Sequence, residues 1–148
     1  MKKISDHRGL FFLDNEVDYD QIFIATNEAR HTFRGMHFQS NPYQVKYLTV
    51  IQGEVLDFLY NLKTGEVKEY QLNHNSDTLA ITEEYAHGYL TLVPNTIIYY
   101  GVIGKYNPKT YKSIVWDTIP EINARIKQVV NNTDKITISE KDKLGKWE

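Results

Sequence analysis

A chain of 148 residues, 24% charged and 41% hydrophobic, has the size and composition of one globular domain. Its net charge of −2 supplies no general basic field for nucleic acid or an anionic membrane, so an anionic ligand needs a local cluster of cations. The absence of cysteine excludes disulfides and thiolate metal sites and fits a cytoplasmic protein, and the basic start Met1-Lys2-Lys3 meets Asp6 to Arg8 rather than a long apolar run, so no signal peptide or membrane helix is expected.

Eleven Tyr and six Phe favour pleated, half-buried surfaces, and the chain reads as short apolar stretches divided by turn residues, the pattern of a β-sandwich or barrel. Leu10 to Leu13 and Gln21 to Ile24 are the first expected strands. A hairpin is expected from Lys46 to Tyr60, with Lys46–Ile51 and Val55–Tyr60 joined by Gln52-Gly53-Glu54. Lys63-Thr64-Gly65-Glu66 turns again, Val67 to Leu72 forms the next strand, and Asn73 to Asp77 is a polar loop. Further strands are expected at Gly88–Val93, Thr96–Ile103 and Lys112–Trp116, punctuated by Pro94-Asn95 and Asn107-Pro108. After Pro120 the period changes: Ile122, Ile126, Val129 and Val130 recur at helical spacing, which predicts a short helix over 120–130. The tail from Asn131 is polar apart from Ile136, Ile138, Leu144 and Trp147.

Strand alternation puts Lys46 on the face of Leu48 and Val50, so a barrel built on that face would point Lys46 inward, whereas at a strand end it would be solvated. His37, in Arg34-Gly35-Met36-His37-Phe38-Gln39, and His87, in Ala86-His87-Gly88-Tyr89, are proton-transfer candidates or structural residues. A histidine-based metal site on such a strand would need a His-x-His pair. Here the run is His37-Phe38-Gln39, so no metal is expected. There is no phosphate loop and no nucleophile elbow. Glu83-Glu84, as strand neighbours, would face opposite ways. The basic and aromatic stretch Lys105–Lys112 reads as a solvated loop rather than a nucleic-acid patch.

Six blocks, in order, resemble the dTDP-4-dehydrorhamnose 3,5-epimerase family: Asp6-His7-Arg8-Gly9-Leu10-Phe11-Phe12; Arg34 to Gln39; Lys46 through Gly53-Glu54-Val55-Leu56-Asp57; Tyr85 to Tyr89; Tyr99-Tyr100 through Tyr106-Asn107-Pro108; and Ile138-Ser139-Glu140-Lys141-Asp142. The resemblance implies a mainly β, cupin-type jelly-roll barrel with a short C-terminal helix, a single domain, homodimeric and without cofactor or metal. It implies a nucleotide-sugar substrate whose C4 ketone acidifies C3 and C5. By resemblance His37 is the base, Asp142 the carboxylate that orients it and favours its protonated form, Tyr100 the acid on the opposite face, and Lys46 the cation at the enolate oxygen. Arg34 and Arg8 match nucleotide contacts, and His87, Asp57, Gln39, Asn27 and Tyr106 match further substrate-binding positions. Leu13, Ala25 and Thr82 depart from the family pattern and leave the sugar and the inverted carbon open. A sugar-nucleotide ketoisomerase on the same barrel and a non-catalytic nucleotide-sugar binder are the alternatives.

Overall fold

The computed structural model describes residues 1–146. Among them the strands run, in chain order, β1 (Lys2–Asp6), β2 (Gly9–Leu13), β3 (Gln21–Asn27), β4 (Phe33–Gln39), β5 (Val45–Gln52), β6 (Glu54–Asn61), β7 (Val67–Asn73), β8 (Leu79–Ile81), β9 (Tyr85–Thr91), β10 (Thr96–Ile103) and β11 (Tyr111–Ser113). They form a four-stranded sheet in the order β3-β10-β5-β8 and a five-stranded sheet in the order β11-β4-β9-β6-β7, with β1 and β2 paired to each other as a separate hairpin. Every strand pair is antiparallel. This is the mainly β, double-sheet barrel expected from the sequence.

The two sheets enclose one apolar cluster, built from Leu48, Val50, Val55, Leu59, Tyr89, Ile98 and Val102 among others. A second cluster lies on the outer face of the five-stranded sheet, where Leu56, Phe58 and Leu90 meet Trp116, Ile119, Ile122 and Ile126. Strand β6 is buried on both faces, which explains its near-continuous apolar run: Val55 and Leu59 face one cluster and Leu56 and Phe58 the other. Helix α1 (Pro120–Val129) starts with Pro120 in its first turn, where the missing N–H costs no hydrogen bond. Ile122 and Ile126 are fully buried, each worth about 1.5–3 kcal/mol of apolar transfer.

Three expectations change. The expected hairpin over Lys46–Tyr60 is instead a crossing between sheets, because β5 pairs with β10 and β8 while β6 pairs with β7 and β9. Gly53, at φ +87°, turns this corner against Thr96, where a side chain would collide. The hairpin belongs to β6 and β7, and its loop is held by Asn61 Oδ1, which accepts from the N–H groups of Lys63 and Thr64. The strand expected at Gly88–Val93 starts at Tyr85 and ends at Thr91, so His87 is a strand residue, while Glu83-Glu84 occupies the preceding turn. The strand expected at Lys112–Trp116 is only Tyr111–Ser113, and Trp116–Thr118 forms a 3₁₀ turn instead.

The polar tail is docked. Thr137 pairs with Thr32 as an isolated parallel bridge, with Phe33 N–H donating to Thr137 O at 2.9 Å and Thr137 N–H to His31 O at 3.1 Å. Helix α2 (Glu140–Leu144) follows, capped by Ser139, whose Oγ accepts from Asp142 N–H at 3.2 Å. Trp147 lies outside the described residues. No helix among the described residues is long and apolar enough to cross a membrane.

Candidate active site

A cavity of about 560 Å³ opens between the two sheets, lined by side chains from β3, β4, β5, β9, β10, β11 and α2. From β4 come Arg34 and His37, three positions apart. Regular alternation would point them to opposite faces. A bulge corrects this: Arg34 pairs with Tyr89 and His37 with His87, so β4 uses three steps where β9 uses two. Gly35 makes the bulge possible, because its φ is +135° and a side chain there would strike the backbone of Gly88.

His37 Nε2 lies 2.5 Å from Asp142 Oδ1. The neutral ring donates Nε2–H to that carboxylate and carries its lone pair on Nδ1. Asp142 is 3% exposed, and its Oδ2 accepts from Gly35 N–H at 3.2 Å while Ser113 Oγ donates to Oδ1 at 3.4 Å. Burial is the largest influence on His37 and pulls its pKa below the ordinary value. Asp142 pulls upward, Lys46 and His87 pull downward, and the net direction is down. Asp142 does favour the protonated form, as the resemblance implies, but burial outweighs it and leaves a base that is neutral near pH 7.

A second pair stands beside the first. His87 Nε2 lies 2.7 Å from Asp57 Oδ2 on the neighbouring strand β6, with both side chains buried. Burial raises the Asp57 carboxyl above its usual range against the downward pull of His87. His87 lines the cavity and Asp57 stands behind it.

From the opposite sheet come Lys46 on β5 and Tyr100 on β10. Lys46 does share the inward face of Leu48 and Val50; all three are buried. Removal from water lowers its ammonium to about 8. Tyr100 is 7% exposed and stacks on Phe23 of β3 at 4.6 Å between ring centroids. Burial holds its phenol well above the ordinary value, so it is protonated and able to donate.

The other expected residues divide. Arg34 lines the cavity, donating from Nε to Asn27 Oδ1 at 2.8 Å and from Nη2 to Thr26 O at 3.1 Å. Asn27 acts behind it: Nδ2 donates to Thr96 O, and Oδ1 also accepts from the Tyr89 hydroxyl. Gln39 lies outside the cavity lining, donating to Pro42 O and Lys105 O and accepting from Asn107 N–H, so it ties down a loop. Tyr106 is also outside the lining and packs edge-on against Tyr111. Arg8 sits in the β1–β2 turn, exposed and bound to Asp6 at 2.6 Å, outside the cavity lining.

Sequence reasoning missed Tyr111, Phe23, Ser139 and Lys141, all in the cavity wall. Tyr111 falls in the stretch read as a solvated loop, but it is half-buried on β11. In the structure Ser113 pairs with His37 and Tyr111 with Gln39, so Tyr111 and Ser113 share one face, a relation that three residues of strand do not announce in the sequence. Among the described residues no three His, Asp or Glu side chains converge as a metal-binding group.

A model of the dTDP-4-dehydrorhamnose 3,5-epimerase family matches residues 1–147. The chain is 32% identical over 157 aligned positions to the dTDP-4-dehydrorhamnose 3,5-epimerase of Methanothermobacter thermautotrophicus, covering 96% of this chain and 83% of that one. In structure it resembles the Bacillus anthracis dTDP-4-dehydrorhamnose 3,5-epimerase bound to TDP and pyrophosphate, with TM-score 0.77, 24% identity, and coverage of 99% of this chain and 90% of the other. It also resembles ChmJ, a 3′-monoepimerase from Streptomyces bikiniensis in complex with dTDP-quinovose, with TM-score 0.75, 20% identity, and coverage of 99% and 79%. Two sheets closing over one cavity, the motif blocks from Asp6 to Asp142 and a family match over nearly the whole chain agree: the protein belongs to the dTDP-4-dehydrorhamnose 3,5-epimerase family.

Proposed function

We propose that the cavity binds a nucleoside-diphosphate 4-keto-6-deoxy hexose and inverts C3, C5 or both by proton transfer through an enolate. One observation carries the reading: His37 and Tyr100 line a single cavity from opposite sheets, with the Lys46 ammonium in the same wall. Neutral His37 takes the proton from the carbon next to the C4 ketone. The C–H electron pair forms the C=C bond of the enolate, and the C4 carbonyl electrons move to its oxygen. Lys46 offers its positive charge to that oxygen, where negative charge develops in the transition state. Tyr100 then protonates the carbon from the other side, and the His37 imidazolium and Tyr100 phenolate return to their starting states by exchange with water. The acidity comes from the substrate's own ketone, so the reaction requires no metal or organic cofactor. The reading gives the diphosphate to Arg34, which Asn27 holds and whose planar guanidinium offers parallel N–H donors.

Two copies acting as a homodimer fit the surface. The separate β1–β2 hairpin and edge strand β3 expose Ile4, Phe11, Ile22 and Ile24, each between 48% and 63% accessible. Pairing through this face would also carry Arg8 toward a second subunit's cavity, where it would meet the nucleotide. Ile22→Asp, outside the cavity lining, should then give a monomer by light scattering, and a dimer that persists in that variant would remove the assignment. The cytoplasm is the proposed compartment, which a sequence without cysteine fits.

Incubation with a nucleotide-linked 4-keto-6-deoxy hexose in deuterated water tests the function. Solvent deuterium at C3 or C5 together with the inverted product is expected. Deuterium with migration of the carbonyl would indicate a ketoisomerase. Tight binding without exchange would indicate a non-catalytic binder.

A further inference from the structure

We propose that the ring face of Tyr111 holds the Lys46 ammonium where the enolate oxygen forms, so that Tyr111 is a positioning residue whose hydroxyl is dispensable. The inference rests on the epimerase reading for its catalytic consequence, but the contact itself stands on geometry. Lys46 Nζ lies 5.5 Å from the centroid of the Tyr111 ring, within the range of cation–π attraction. A lysine carries its charge on a flexible four-carbon stem, so a charge meant to meet one oxygen needs something to fix it. Among the described residues no carboxylate forms an ion pair with Lys46.

The groups that share its cavity do little to hold it. His37 and His87 are imidazoles, and a cation beside His37 disfavours protonation of that ring. Tyr100 is a buried neutral phenol. Asp142 already receives His37, Gly35 N–H and Ser113 Oγ. Glu83 and Tyr85 border a small cleft on the other side of Lys46, and Glu83 is exposed to solvent. The negative face of an aromatic ring attracts a cation most where water is excluded, and Lys46 is buried.

Tyr111 is itself fixed. Its strand pairs with β4, its ring packs 5.4 Å from His37, and Tyr106 meets it edge-on at 5.4 Å. One aromatic ring therefore touches the surroundings of both the base and the cation. That placement would set the distance between the group that removes the proton and the charge that receives the resulting electrons.

The test compares Tyr111→Phe with Tyr111→Leu and Tyr111→Met, using protein labelled with carbon-13 at lysine Cε. The Lys46 resonance is assigned from its loss in Lys46→Gln, and its titration is followed by NMR without substrate. The Phe variant should titrate as the wild type does and keep kcat within about threefold. The Leu and Met variants should titrate about one pKa unit lower, equivalent to about 1.4 kcal/mol. They should also lose about tenfold in kcat with little change in KM, since the contact matters where charge develops. An unchanged Lys46 titration in Leu and Met overturns the proposal. So does a Phe variant as impaired as Leu, which would make the hydroxyl the acting group. If the wild-type protein fails to exchange solvent deuterium, the epimerase reading falls, while the titrations still decide whether the ring holds the ammonium.

Discussion

His37 and His87 stand directly opposite each other in the β4–β9 pair, yet their Nε2 atoms turn to different carboxylates, Asp142 on α2 and Asp57 on β6. Two like side chains in one register thus have distinct electrostatic partners. Only His37 takes its carboxylate from the tail, and that pairing joins residues 105 positions apart.

This pairing predicts a pH effect. A base must be neutral, so the rate rises with pH through the His37 pKa. Burial lowers that pKa and Asp142 raises it. Asp142→Asn removes the upward pull, and the acid limb should move to lower pH. The rate should fall about a hundredfold or more, because the ring loses the partner that orients it. A pH–rate profile identical to wild type would take Asp142 out of the pair.

Base and acid can be separated. His37→Ala should abolish both solvent exchange and inversion. Tyr100→Phe removes only a hydroxyl from a ring that is already packed on Phe23. The enolate should still form and be reprotonated by His37 on the original face, giving deuterium uptake that outpaces inversion. Inversion itself should drop about 10²–10⁴-fold. Near-normal inversion in the Phe variant, measured by product NMR, would end the acid assignment.

Lys46 should cost stability. Its folded pKa, about 8, lies below the ordinary 10.5 because of burial. Folding therefore binds the proton less tightly than the unfolded chain does, and stability should rise as pH climbs from about 8 toward 10.5. Lys46→Met should stabilise the fold at pH 7 by up to about 3 kcal/mol and abolish turnover. Urea unfolding of both proteins at pH 7 and pH 10 checks the sign, since the difference between them should shrink at the higher pH.

Arg34→Ala should weaken binding rather than chemistry. Hydrogen bonds to a charged group are worth about 1.5–3 kcal/mol, which corresponds to a rise in KM of about tenfold to a hundredfold with kcat little changed. Asn27→Ala should act in the same direction and less strongly, because it frees the guanidinium from Oδ1 while Thr26 O still accepts from it. A large fall in kcat for Arg34→Ala at constant KM would contradict the diphosphate role.

Prolonged chelation should leave activity intact. His37 and His87 each direct Nε2 to a separate carboxylate, and Gln39 uses its amide on the Pro42 and Lys105 carbonyls. Loss of activity reversed by one divalent metal would overturn the cofactor-free reading.

Much of this was legible in the chain for physical reasons that can be named. Alternation along β5 aligned Lys46 with Leu48 and Val50 but left open whether that face was inward, and only the resemblance pointed it at the site, whereas α1 was legible because four apolar residues keep helical spacing. The Lys46–Tyr60 hairpin was misread because adjacent strands reveal local direction but not sheet membership, and Gly53 sends β6 into the other sheet. Tyr111 was missed because a three-residue strand is too short to show alternation. Asp142 was legible only through the resemblance, since nothing local in Glu140–Leu144 points to a histidine more than a hundred positions away.

The extra residue in β4 has an evolutionary consequence. Substitutions between Arg34 and His37 leave the count unchanged, but a single insertion or deletion there would turn either the arginine or the histidine out of the cavity. The polar loop at 73–77 lies outside this strand pair, so a change in its length leaves the β4–β9 count as it is. Within the bulge only replacement keeps the count, and at Gly35 even that choice is narrow. The spacing between substrate grip and proton removal is thus inherited as a number of residues, and a frame-preserving indel in this short stretch would uncouple the two at once.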